Sequence, residues 1–168
     1  YYLSQTENIT QLFVDDQQMV NARWPNAQFN DDSIFSWDTW AQGDEDSNSN
    51  DDIDDLSVEG SLVIDESVAN PQGIDLTNSI GILNIGSFKT ETVKINTHIQ
   101  NASSNDVITY NHDTSSDDES AYQTTYKDKH HYYFFEGKLD LLDINNEWFY
   151  DPLDDILYLY PDDGQNPD

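Results

Sequence analysis

Near its C-terminus the chain carries two alternating aromatic runs, Glu147-Trp148-Phe149-Tyr150-Asp151 and Leu157-Tyr158-Leu159-Tyr160, separated by a link that holds Pro152, Asp154 and Asp155. Rings in alternation suit a half-buried pleated surface, and Pro and Asp are turn formers, so the stretch predicts a β-hairpin. The same two-residue period returns upstream. Val93, Ile95, Thr97 and Ile99 are expected on one face of a strand, with Thr92, Lys94, Asn96 and His98 on the other. Asn101 to Asn105 reads as a turn, and Val107 to Tyr110 as the returning strand. Gly60 to Asp65 and Ser79 to Ile85 read as buried strands, with Gly81 and Gly86 allowing close backbone approach or a bulge. Ile34 to Trp40 alternates as a short strand or platform, and His131 to Phe135 and Lys138 to Asp143 read as further strands. No helical period is sustained, and about ten short strands divided by turn clusters predict an all-β chain.

A second marker lies near the N-terminus: Gln11-Leu12-Phe13-Val14-Asp15-Asp16, followed by Ala22-Arg23-Trp24-Pro25-Asn26. Together the two markers resemble the opening part of right-handed parallel β-helix proteins, a group rich in glycoside hydrolases and polysaccharide lyases. In that family the first motif ends in Val-Asp-Gly before a variable strand and Ala-Arg-aromatic-Pro-Asn. The second reads Gly-Glu-Trp-aromatic-aromatic-Asp, a Thr-Gly turn, then Leu-Tyr-aromatic-Tyr-Pro. This chain departs at Asp16, at Asn146, and at Asp154-Asp155, where the family usually has Gly, Gly and Thr-Gly. The departures bear on turn geometry and leave the strand patterns intact. The resemblance implies first β-helix strands over residues 1–29, an inserted antiparallel β-barrel or sandwich over 30–126, and return strands with the aromatic hairpin over 127–168. It further implies that Glu147 is architectural and that the family's catalytic acids come from later coils. The start at Tyr1 and the turn-like end predict an excised fragment of such a protein.

Charge narrows the partners. The formal net charge is −28, with 34 acidic residues against 6 basic ones. Such a field repels phosphate backbones and anionic head groups, which argues against nucleic acid or membrane partners. No run of 18 apolar residues suggests a membrane helix. With 36% hydrophobic but 12% aromatic residues, the core is expected to lean on rings. Cysteine is absent, which removes disulfides and thiolate metal sites. Salt adaptation and specific calcium capture both explain the acidity, and both fit a saline extracellular setting.

Five sets of candidate residues follow. Calcium takes six to eight oxygen ligands from flexible loops, and Asp44, Asp46, Asn48 and Asp51 supply alternating donors, although an EF-hand register fails at Ser49 and Asp55. Asp31 and Asp32 are a second cation candidate. Glu147 and Asp151 are the carboxylate pair to inspect for acid–base chemistry, since burial against indole would raise a carboxyl pKa. Trp37, Trp40, Tyr126 and Tyr132 are candidate stacking surfaces for a polysaccharide. Among the histidines, His98 and His112 are the pair that a zinc ion would use, because His130 and His131 point to opposite faces. The expected role is a non-catalytic, carbohydrate-associated accessory domain with Ca2+ as candidate cofactor. A cation-dependent adhesive module is the alternative, and a fragment retaining hydrolase or lyase activity is the third reading.

Overall fold

The computed structural model describes residues 9–42, 59–64, 73–86, 89–100, 106–111 and 132–161. The protein is all-β. Its only helical segments among the described residues are single 3₁₀ turns at Ser33–Phe35, Trp37–Thr39 and Leu139–Leu141. The chain divides into two compact units, one built from residues 1–39 and 136–168, the other from 40–135.

In the first unit, β1 (Leu12–Val14) and β2 (Gln17–Asn21) form an antiparallel hairpin, followed by the short β3 (Arg23–Trp24). The aromatic hairpin forms as expected. β10 (Glu147–Asp151) pairs antiparallel with β11 (Ile156–Tyr160), matching Trp148 to Leu159 and Tyr150 to Leu157. The two hairpins join through a parallel contact, Val20 opposite Glu147 and Asn21 opposite Trp148, giving the sheet order β1-β2-β10-β11. Head and tail of the chain are therefore neighbouring strands. Met19, Val20, Ala22, Ala27, Leu141 and Trp148 are the buried apolar residues here.

Between these segments lie β4 (Ala41–Gln42), β5 (Glu59–Ile64), β6 (Ile80–Gly86), β7 (Lys89–Ile99), β8 (Asp106–Asn111) and β9 (Tyr132–Glu136). The second unit orders its strands β9-β6-β7-β8-β5, with β4 also on β9. β6 pairs with β7, β7 with β8 and β5 with β8, all antiparallel. Tyr110, Tyr133 and Phe135 are among the largest fully buried side chains, beside Leu76, Leu83, Ile95 and Ile108. Rings do supply much of the core volume. Gly81 serves close approach, since a Cβ there would lie 3.0 Å from Ile95 Cδ1. A register shift between Asn84 and Gly86 marks a bulge at the second glycine.

Three local expectations are corrected. The face assignment of β7 holds only to Ile95. Ile95 opposes Tyr110 and Thr97 opposes Thr109, so Asn96 is an extra residue that shifts the phase of alternation. Beyond it His98 turns inward, its side chain fully buried, and Ile99 turns out with 54% exposure. Ile34 to Trp40 is not a strand. Its hydroxyls hydrogen-bond the local backbone instead: Thr39 Oγ1 donates to Ser33 O at 3.0 Å and to Ser36 O at 2.9 Å. Ser33 Oγ accepts from Gln28 N–H at 2.8 Å, fixing the entry to the first turn. Lys138 to Asp143 also leaves the sheet. A 3₁₀ turn there directs Leu141 into the core, after Gly137 at φ 72° redirects the chain.

The three departures from the glycine pattern share one conformation. Asp16, Asn146 and Asp155 stand at φ 63°, 64° and 54°. The left-handed region is open to glycine and, among other residues, best tolerated by Asn and Asp. Asp155 is also held by Tyr150, whose hydroxyl donates to Asp155 Oδ1 at 2.8 Å. Among the described residues Asp16 has no such tie. Asp16→Gly is therefore expected to stabilise the chain by about 0.5–1 kcal/mol, through relief of φ strain. Urea unfolding curves of the two proteins measure this, and an unchanged or lowered midpoint refutes it.

Candidate functional site

Beside the β1–β2 hairpin is an open cleft of about 280 Å³, lined by Gln17, Gln18, Gln28, Asn30 and Asn146 with Phe29 and Val20. All of these belong to the first unit. Among the described residues no charged side chain lines the cleft. Gln28 Nε2 donates to Asn145 O at 2.7 Å, which fixes one wall. Phe29 meets Phe35 edge-on, with ring centroids 6.1 Å apart. Phe35 is 75% exposed and nearby in sequence Trp37 is 58% exposed, so the segment after the cleft presents aromatic surface.

The stacking candidates separate. Trp37 is exposed on the first unit. Trp40 belongs to the second unit and is half-buried, packed edge-on against Phe134 at 4.7 Å. Tyr132 is half-buried in β9, opposite Gln42. Tyr126 lies outside the described residues, as do Asp44, Asp46, Asn48 and Asp51. Phe29 and Phe35 were not singled out by sequence, because nothing in their spacing marks one ring as core and the next as surface.

Glu147 is fully buried. Oε1 accepts the Arg23 N–H and Oε2 the Asp143 N–H, each at 3.3 Å. Burial pushes its pKa up to about 7, opposed by those backbone hydrogen bonds and by one from Ile144. The expected upward shift is present. Its cause is burial of the carboxyl itself, since Trp148 as the next strand residue points to the other face.

Arg23 lies alongside, 3% exposed. Its Nε donates to Pro25 O at 2.9 Å and its Nη2 to Thr39 O at 3.1 Å. Burial lowers its pKa to about 10, while Glu136 and Glu147 pull it back up, so the guanidinium stays charged at neutral pH. Glu136 is raised by burial and lowered by Arg23.

Asp151 is engaged at the hairpin turn, where Oδ1 accepts the N–H of Leu153 at 2.9 Å and of Asp154 at 3.4 Å. It lies four residue steps along the strand from Glu147, about 13 Å at ~3.3 Å per residue. Glycosidase carboxylate pairs sit about 5–9.5 Å apart, so these two do not form one. Each anchors backbone instead.

Two of the described metal candidates, His98 and Asp31, have other partners, while Asp32 stands at φ 61° and makes no side-chain cap hydrogen bond. Leu76 N–H donates to His98 Nδ1 at 3.0 Å, which places the ring proton on Nε2, 3.3 Å from Asp106 Oδ2. Both ring nitrogens are thus occupied within the protein. His112, His130 and His131 lie outside the described residues. Asp31 Oδ1 accepts the Ser33 N–H at 2.9 Å, and bonds from Ser33 hold its pKa below the usual carboxylate range. Among the described residues no group of three or more His, Cys, Asp or Glu is placed to hold a metal ion, and no helix is long and apolar enough to cross a membrane.

No family model and no curated protein sequence matches the chain. Among solved structures it is similar to one named glycoside hydrolase, with a TM-score of 0.57 at 14% identity over 95% of this chain. The match covers 25% of that structure, so the chain spans about a quarter of its length. At this identity the likeness speaks for the fold.

Proposed function

We propose that the chain is a non-catalytic, carbohydrate-associated part of a secreted polysaccharide-acting protein, and that its first unit is the opening of a right-handed parallel β-helix. The parallel contact between β2 and β10 carries this reading. A β-helix is a stack of parallel strands, and here a parallel step is made by two segments that bear the head and tail motifs. The glycoside hydrolase likeness and the exposed Phe35 and Trp37 support a role toward sugars. Buried, backbone-anchoring Glu147 and Asp151 at the turn support a structural task for the two carboxylates that sequence singles out.

The test pairs binding with turnover. Incubated with soluble polysaccharides, the chain should retard or be retarded by at least one in affinity electrophoresis, and should release no reducing sugar. Release of reducing ends by this chain alone overturns the non-catalytic assignment. Absence of any glycan interaction overturns the carbohydrate role.

Calcium belongs to the same proposal, with Asp44, Asp46, Asn48 and Asp51 as ligands. Millimolar Ca2+ should then raise the melting temperature more than equal ionic strength of Na+ does, and lose that advantage in Asp44→Asn/Asp46→Asn. Stabilisation by Ca2+ without glycan binding favours the cation-dependent adhesive module instead.

A further inference from the structure

We propose that the cleft beside β1–β2 is a subsite for an uncharged sugar, a neutral hexose or pentose residue of a glycan chain. The inference rests on the carbohydrate role proposed above and specifies its ligand.

Composition makes the cleft unusual. Acids number 34 of 168 residues, yet the seven described residues that line the cleft include five carboxamides and no carboxylate. A carboxamide offers both donor and acceptor, which is what the hydroxyls of a neutral pyranose require. Gln17, Gln18, Asn30 and Asn146 make no side-chain hydrogen bond with any described residue, whereas Gln28 is fixed by its bond to Asn145. Gln18, on the same face of β2 as Val20, joins Asn30 and Asn146 in leaving its hydrogen-bonding capacity directed to solvent or ligand, whereas Gln17, one residue earlier in the strand, points to the opposite face. Phe29 supplies the apolar face against which the C–H side of a pyranose packs. At about 280 Å³ the cleft sits at the lower edge of small-molecule sites, which span roughly 300–1,000 Å³. That suits a single ring with its neighbours extending into solvent.

Charge selects among sugars. A uronate or sulfate ester entering this cleft meets a protein of net charge −28 and, among the described residues lining it, no cationic side chain to pair with. A neutral ring meets neither penalty. Burying an amide against a charge-free hydroxyl network also avoids the desolvation cost that a carboxylate wall would carry.

Side-chain NH₂ resonances of Gln and Asn are visible by ¹⁵N–¹H NMR, so the full 168-residue chain can be titrated with defined probes. The probes are malto-, cello-, xylo- and laminari-hexaose, against tri-galacturonate. At least one neutral hexaose should shift the NH₂ signals of Gln18, Asn30 and Asn146 together, and the uronate should not. Gln18→Ala should weaken that hexaose about two- to tenfold, the worth of one neutral hydrogen bond, and Gln17→Ala, on the opposite face of β2, should leave it unchanged. If a hexaose shifts signals elsewhere but leaves these three static, the subsite is wrong while the carbohydrate role survives. If the uronate shifts them as strongly, charge selection is wrong. Static spectra with every probe remove the subsite, and absence of polysaccharide retardation then removes the wider role as well.

Discussion

Replacing Arg23 with methionine should destabilise the protein by about 3–5 kcal/mol, the usual consequence of removing one partner from a buried charged network. Arg23 is 3% exposed and is the cation for two buried carboxyls, Glu136 and Glu147. It also supplies donors to Pro25 O and Thr39 O, which close the loop running from β3 to the second 3₁₀ turn. Methionine fills similar volume but leaves both carbonyls without these donors and both carboxyls without a counter-charge. Arg23→Lys keeps the charge but not the fork, since a single ammonium does not reproduce the two-carbonyl geometry. It should lose about 1.5–3 kcal/mol, the worth of one charged hydrogen bond. Urea unfolding followed by tryptophan fluorescence measures both. A loss under about 1 kcal/mol for Arg23→Met would show that the network contributes little beyond packing.

The second large effect is a pH dependence from Glu147. Its pKa is raised in the folded state to about 7 from 4.5. Below about pH 4.5 the carboxyl is protonated whether folded or not, and contributes no pH dependence. Between about 4.5 and 7 the unfolded chain releases this proton while the folded chain keeps it, so stability falls as pH rises. Above about 7 both forms are ionised and the loss is complete. At 1.36 kcal/mol per pKa unit the loss is about 3 kcal/mol across this window. Glu147→Gln cannot ionise. It keeps one acceptor for the Arg23 or Asp143 N–H but faces the other with an NH₂ group, so it should be less stable than the parent at pH 4.5. Its disadvantage should then shrink by about 3 kcal/mol by pH 7. Other carboxylates, Glu136 included, titrate in both proteins, so the difference curve isolates this group. Two parallel stability–pH curves would refute the assignment.

Strand content was largely legible because alternation and turn chemistry act locally. β1, β2, β6, β8, β10 and β11 fall within a residue or two of their sequence signals. The misreadings arise where a side chain outcompetes the pattern. Thr39, Ser33 and Ser36 bond to nearby backbone and convert an apparent strand into 3₁₀ turns. Asn96 inserts one residue and flips His98 from the expected outer face to the core, which no count of hydrophobic positions reveals. The turns at Asp16, Asn146 and Asp155 were flagged as departures from a glycine pattern. Their positive φ shows that the conformation is retained and only the residue has changed. The cleft was the least legible feature. Its walls come from Gln17 and Gln18 on β2, from Gln28 to Asn30, and from Asn146, more than a hundred residues later. Five amides so dispersed form no motif until the β2–β10 step brings them together.

That step also imposes an order on biosynthesis. Arg23 waits for a carboxylate 124 residues further along, and β2 waits for the strand that bears it. At translation rates of about 5–20 residues per second, this interval is roughly 6–25 s. Throughout it the nascent head exposes Met19, Val20 and an unpaired strand edge, while residues 40–135, a contiguous stretch with its own antiparallel pairings, can close first. A ribosome-stalled chain ending before Glu147 should therefore bind holdase chaperones through its first two dozen residues, and release them once the aromatic ribbon has emerged from the exit tunnel.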